Sequence, residues 1–449
     1  MNHILNENDM VLTDLGFGDS GKGSFVQYIA SVNPQIKKFV KYNGGCQGRH
    51  CIIHNGKYIV FSQLSSAMVY NHACTILGEK FVFEPFSLLN EIKSVSETLK
   101  ISPENIISRL YIDKSCVCVT PIHKIYNQWE EEFVGVRGSV GTGVSIAGMY
   151  SSGAYEDITL YASDLLHPFL ILSKLCQQAD FFQSLQASSI HFKELKERIC
   201  NINVFQYCID LVNIMETNSF MVIDTEKIIS DGSCALYESS QGILLDKKYG
   251  FYPNTTLLDL SIDSISGIKN KTGIIRSVYT RHGKGVFPTK SAELQNVLSD
   301  SSQEIGKYSG RIMFGYFDCV LLRYAVKTTG VHQIYMSHLD YLKLDIPLKI
   351  CISYRYDGKI TEEFKNLFDY ELNKSAVYIR NIKKPHKSLS LYLKSVIPVY
   401  KEIEFTDICS FYHKMDIYTK AIEQECGIPV SVISFGADIH DKYIRNQSI

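Results

Sequence analysis

Between a short apolar run, Met10-Val11-Leu12, and a helix-like segment from Ser24 to Ile29 lies Leu15-Gly16-Phe17-Gly18-Asp19-Ser20-Gly21-Lys22-Gly23. A strand, a glycine-rich loop and a helix in that order confine the chain to a small set of α/β folds. Gly16, Gly18, Gly21 and Gly23 let backbone N–H groups converge on an anion, and the helix N-terminus favours the same charge. Lys22 supplies a point charge for phosphate. The spacing follows the Walker pattern, but Gly23 stands where that pattern has a Ser or Thr hydroxyl for Mg²⁺. An acid, Asp19, sits inside the loop instead. A carboxylate among phosphates raises the electrostatic energy unless it binds metal or moves a proton, so its presence points to chemistry. A tight turn without a ligand is the plainer alternative.

The 449 residues, 45% hydrophobic and 21% charged, suffice for a sizeable core. A net charge of −1 without a long single-sign block argues against nucleic-acid partners. No secretory signal and no apolar run near the roughly 20 residues of a membrane span is evident, so a cytoplasmic protein without a membrane partner is expected. Thirteen scattered cysteines lack zinc-ribbon spacing and predict reduced thiols. Strand-like and helix-like segments alternate, which predicts a large, mainly parallel central sheet flanked by helices. Residues 160–218 read as a helical cap inserted into a single domain spanning 1–449. His54-Asn55-Gly56-Lys57 lies between Ile52-Ile53 and Tyr58-Ile59-Val60-Phe61, a strong hairpin signal.

Function in open α/β sheets concentrates in loops that follow strands. The second such loop is Asn43-Gly44-Gly45-Cys46-Gln47-Gly48-Arg49-His50, where His50 can serve as an acid or as a donor to a developing phosphoryl charge. The third is Tyr237-Glu238-Ser239-Ser240-Gln241-Gly242, followed by Leu244-Leu245-Asp246 and Asn254-Thr255-Thr256. A strand-end Gln orients a reacting oxygen, and threonines hold phosphate. The fourth is Tyr279-Thr280-Arg281-His282-Gly283-Lys284-Gly285-Val286-Phe287-Pro288-Thr289, with basic groups among glycines. Each has a bland counterpart, a polar turn.

In this order the four loops resemble the adenylosuccinate synthetase family. Its loops read approximately Trp-Gly-Asp-Glu-Gly-Lys-Gly-Lys, Gly-Gly-(His/Asn)-Asn-Ala-Gly-His, Phe-Glu-Gly-Ala-Gln-Gly-Thr-Leu-Leu-Asp and Ser-Thr-Arg-Val-Gly-x-Gly-Pro-Phe-Pro-Thr. The resemblance runs from Met10 to Asp438 and includes Gly315-Tyr316-Phe317-Asp318. It implies a P-loop-like, GTPase-related fold, Mg²⁺, GTP as co-substrate and a homodimer. It also implies phosphorylation of O6 of IMP and displacement of that phosphate by the amine of aspartate. Matched onto this chain, Asp19 is the base and a Mg²⁺ ligand, beside the backbone carbonyl of Arg49. His50 meets the transferring phosphoryl group, and Gln241 holds the reacting O6/N1 edge. Gly18, Ser20, Gly21, Lys22 and Gly23 take the GTP phosphates; His338, Asp340, Ser434 and Gly436 take the base. Asn43, Gln47, Thr142, Thr256, Arg281 and Arg311 face the acceptor and the amine.

The chain departs from the pattern in places. The aspartate loop, Thr-Gly-Arg-x-Arg-Arg in the family, is Ser309-Gly310-Arg311-Ile312-Met313-Phe314 here, so Arg311 alone remains. An arginine fork on a dicarboxylate is worth about 1.5–3 kcal/mol per charge-assisted contact. No arginine follows Tyr155-Glu156-Asp157, where the family sends one across the dimer to the IMP phosphate. His338 replaces the lysine of the guanine motif, Gln47 an asparagine and Arg49 a glycine. These departures leave two alternative expectations: the same activation chemistry with another amine or acceptor in specialised metabolism, or nucleotide binding without ligase activity.

Overall fold

The computed structural model describes residues 9–135, 137–151, 153–265, 267–298, 306–344, 346–373, 376–405 and 410–445. Two compact units emerge: one of Met1–Asp9, Gly23–Ser240 and Thr256–Leu260, the other of Met10–Lys22, Gln241–Thr255 and Ser261–Ile449. The strands that carry the loops are, in chain order, β1 (Met10–Asp14), β2 (Lys38–Lys41), β3 (Cys74–Leu77), β4 (Leu110–Asp113), β5 (Met221–Ile223), β6 (Ala235–Gly242), β7 (Asn270–Arg276), β8 (Gln333–Ser337), β9 (Val430–Ser434) and β10 (Lys442–Ile444).

In the first unit the strands run parallel in the order β6-β2-β3-β4-β5. Helices Pro85–Leu99, Pro121–Phe133, Pro168–Leu185, Phe192–Cys200 and Val204–Asn218 belong to the same unit. The last three fall in the expected helical segment. Pro85, Pro121 and Pro168 each open a helix, where the absent N–H costs nothing and the fixed φ already suits it. The core joins strand residues such as Leu77 and Ile112 to Leu88, Ile92, Trp129, Ile171 and Leu211 of the helices. Strand β2 breaks the apolar habit of a buried parallel strand, since Lys38 and Lys41 are both buried. Lys38 is satisfied by the carbonyls of Ile228 and Ile229 and by Asp231. The Asn55-Gly56 hairpin forms as the sequence predicts, both residues at positive φ (50° and 74°).

In the second unit the order is β10-β9-β8-β7-β1, parallel except for β10. A separate mixed sheet is built around Lys349–Tyr356. The helix Cys319–Thr329 is capped by Asp318, whose carboxylate accepts from the N–H groups of Val320 and Leu321. The last residue of Gly315-Tyr316-Phe317-Asp318 therefore has a structural duty. Burial pushes its carboxyl up to about 7, against the hydrogen bond from Tyr354. The expected α/β class, mainly parallel strands flanked by helices, is what both units display.

Candidate active site

In the second unit β1 extends past the predicted apolar run to Asp14, and the helix begins at Lys22. The loop between them is tied at both ends by one side chain. Asp14 Oδ1 accepts from Gly16 N–H at 2.9 Å, and Oδ2 receives Lys22 Nζ at 2.8 Å, with both side chains buried. Lys22 is thus held at the helix start by a carboxylate that the motif comparison did not single out. Gly18 and Gly21 have positive φ (99° and 75°), and so does Asp19 at 57°, where a side chain costs about 1–3 kcal/mol. Strain of this kind clusters at ligand-binding and catalytic loops.

Asp19 is not alone. Its Oδ2 lies 3.0 Å from His282 Nε2. Arg276 Nη1 reaches the Asp19 carbonyl at 3.4 Å. Desolvation raises the Asp19 carboxyl, but the His282 hydrogen bond and the charges of His282, Arg276 and Lys22 outweigh it, so the group lies below its ordinary value. His282 is raised in turn, chiefly by its bond to Asp19.

Gln241, half-buried at the end of β6, is placed near this loop by its successor. A Cβ on Gly242 would lie 2.2 Å from the Gly16 carbonyl oxygen, so only glycine permits the approach. Leu244 N–H bonds the same carbonyl at 3.1 Å. The residues expected to take the base also lie on the second unit. Ser337 Oγ donates to the Ser20 carbonyl (2.9 Å) and lies 2.8 Å from His338 Nδ1. Burial, then the nearby Arg276 charge, holds His338 well below its ordinary pKa. Asp340 follows on the surface. Ser434 ends β9, the parallel neighbour of β8, and its hydroxyl bonds the Gly436 carbonyl at 2.8 Å.

Arg281 has a different occupation from the expected contact with substrate. It is 1% exposed and donates to the carbonyls of Lys284, Val286 and Asn254 while covering the Phe17 ring at 4.3 Å. Its guanidinium is spent on shaping the loop, and the neighbouring His282 is the side chain the loop presents. Arg311 is exposed.

The first unit holds the other residues. His50 opens the hairpin strand His50–His54 and packs against the helix start, where a Cβ on Gly23 would sit 2.7 Å from His50 Cβ. That contact accounts for glycine where the Walker pattern has a hydroxyl. Glu238, wholly buried on β6, lies 3.6 Å from His50 Nδ1 and 3.6 Å from Lys41 Nζ. Burial raises the Glu238 carboxyl, yet Lys41 and His50 win and hold it at about 2. Asn43 is buried, with its Oδ1 on Ser240 N–H and its Nδ2 without a protein partner. Gln47, half-buried, also has both amide atoms without a protein partner. Thr256 shares a 2.9 Å hydrogen bond with Ser145, just after half-buried Thr142. Arg49 is exposed beside His50. Asp14, Lys41, Glu238 and His282 were not among the expected site residues. The buried lysine in a strand of β2 was the signal for Glu238, and an imidazole at the valine of the family pattern was the signal for His282.

Among the described residues no group of three or more His, Cys, Asp or Glu side chains is arranged to hold a metal ion, and no helix is long and apolar enough to cross a membrane. The described cysteines are free thiols.

The adenylosuccinate synthetase family model matches residues 11–443. The adenylosuccinate synthetase of Francisella tularensis subsp. novicida is 27% identical over 455 residues, covering 96% of each chain. A fully ligated adenylosuccinate synthetase from Plasmodium falciparum shares the fold with a TM-score of 0.75 at 19% identity, over 98% of this chain and 100% of that one. The cyanophage S-2L succinoaminodeoxyadenylate synthetase, bound to dGMP and to dATP as energy donor, gives 0.57 at 14% identity, over 98% and 96%. None of these comparisons supports nucleotide binding without ligase chemistry or a different amine. The chain belongs to the adenylosuccinate synthetase family of GTP-dependent C–N ligases.

Proposed function

We propose that this ligase phosphorylates the 6-oxo oxygen of an IMP-like purine nucleotide with GTP and lets aspartate displace the phosphate, giving an adenylosuccinate-type product. The observation that carries this reading is the family match over residues 11–443, in a chain that keeps Asp19, His50 and Gln241 at the matching motif positions. An amide-like carbonyl oxygen of this kind is a poor nucleophile and a poor leaving group. Asp19 takes the N1 proton, which shifts electron density onto O6 for attack on the γ-phosphorus as GDP departs. The amine then bonds to C6, the C6–O bond breaks and phosphate leaves. Gln241 holds the O6/N1 edge.

His50 donates to the transferring phosphoryl group, with the Glu238 carboxylate 3.6 Å from its Nδ1 behind the ring. Lys22 and the loop amides take the phosphates. His338, Asp340, Ser434 and Gly436 take the guanine; Asn43, Gln47, Thr142 and Thr256 take the acceptor, and Arg311 the amine's carboxylates. The orphaned amides of Asn43 and Gln47 support that part. Asp19, 41% exposed, would hold Mg²⁺, a cation that prefers one or two carboxylates with phosphate and water. Bound there, it would spread the charge of the phosphoryl oxygens. A homodimer and a cytoplasmic location accompany this reading.

The test supplies GTP, Mg²⁺, IMP and aspartate and reads product mass with GDP release. Adenylosuccinate in step with GDP is the expected result; GDP release without an acceptor refutes the reading. Asp19→Asn should abolish turnover while nucleotide binding persists by calorimetry.

A further inference from the structure

The family pattern has valine after the arginine of the fourth loop, a side chain with no hydrogen to give. This chain has His282, and its Nε2 is 3.0 Å from Asp19 Oδ2. Both side chains are open to solvent, 45% and 41% exposed, so the pair lies where ligands reach it. An ion pair that open adds little to stability, because water screens it and two side chains must be held still. Yet the structure holds this one still. The Arg281 guanidinium bonds the carbonyls of Lys284, Val286 and Asn254 on one side of His282. Gly283 N–H bonds the Ser309 carbonyl at 2.9 Å on the other. Gly285 sits at φ +124°, and a Cβ there would meet Arg281 Nη2 at 2.2 Å, so the clamp depends on that glycine. Asp19 is confined too, by its left-handed backbone and by Arg276 at its carbonyl.

From this geometry we infer that His282 is a positioning residue for Asp19. Resting on the base assignment above, it donates to Oδ2 and fixes the carboxylate plane, leaving the second oxygen to take the proton of the acceptor's ring nitrogen. A base held in one orientation spares the search among rotamers at the moment of transfer. Comparable supporting partners of reactive groups are worth about 10- to 100-fold.

The test compares His282→Val, which installs the family's residue, with His282→Gln, whose amide keeps a neutral donor. We expect kcat of His282→Val to fall by about 10- to 100-fold with KM for GTP and for the acceptor unchanged. His282→Gln should recover kcat to within a few-fold. Matched melting temperatures show that both variants fold, since a half-exposed loop residue carries little packing. Wild-type kcat in His282→Val overturns the inference, as does a loss confined to KM or one that His282→Gln fails to restore. Asp19→Asn is run alongside. If it is inactive while His282→Val is normal, only the positioning role fails. If it is fully active, the base assignment fails and the inference with it.

Discussion

Each unit sets an imidazole beside a carboxylate, and the two pairs are built oppositely. His50 and Glu238 are both buried in the first unit, and Lys41 completes them as a third charge. His282 and Asp19 are both half open in the second, with Arg276 on the backbone rather than on the carboxylate. Burial explains the difference. A lone charge removed from water costs several kcal/mol, so the buried pair needs its lysine to exist. The open pair is solvated and stands without a third buried charge. On the proposed mechanism the roles invert accordingly: the imidazole works and the carboxylate supports in the first unit, while the carboxylate works and the imidazole supports in the second.

The largest effect should come from removing a working group. His50→Asn is expected to lower kcat by about 10²- to 10⁴-fold, in line with Asp19→Asn, with little change in melting temperature because Glu238 retains Lys41. Steady-state kinetics beside thermal melts check it; a normal kcat would break the parallel between the pairs. Glu238→Gln should cost less in kcat, about 10- to 100-fold, but more in stability, about 3–5 kcal/mol, because buried Lys41 loses its ion-pair partner. Chemical denaturation measures that loss, and an unchanged midpoint would mean that Lys41 finds another partner.

The comparison sharpens with pH. Glu238 titrates at about 2 in the folded chain against 4.5 ordinarily, so its stabilisation is fully present above about pH 4.5. It should be lost as pH falls toward about 2, and Glu238→Gln should show a flatter stability–pH curve over that window. The smallest effect belongs to a third imidazole. His338→Lys, which restores the family's residue, should lower KM for GTP only a few-fold, the worth of a cation beside a base of about 0.5–1 kcal/mol. A rise in KM would show that the neutral ring at this left-handed position is itself the better contact.

Much of this was legible along the chain because it is local. The strand–loop–helix at Met10–Val32 and the Asn55-Gly56 hairpin each follow from neighbours in sequence. Arg281 suggests an anion by its type, and only the fold shows its guanidinium donating to carbonyls of residues 254, 284 and 286. Glu238 was quoted as part of a motif, but its partners Lys41 and His50 lie almost 200 positions away. Gly23 looked like a missing hydroxyl; the contact with His50 Cβ reveals a steric reason.

By itself the sequence determined which local elements form and which chemical groups the loops carry, since propensity, turn chemistry and motif spacing act over a few residues. Only the tertiary structure decided who supports whom: Asp14 with Lys22, Lys41 with Glu238 and His50, His282 with Asp19. Those pairings depend on distances of a few ångströms between strands and loops far apart in the chain, and on burial that sets which charge must be matched and which can stay open to a ligand.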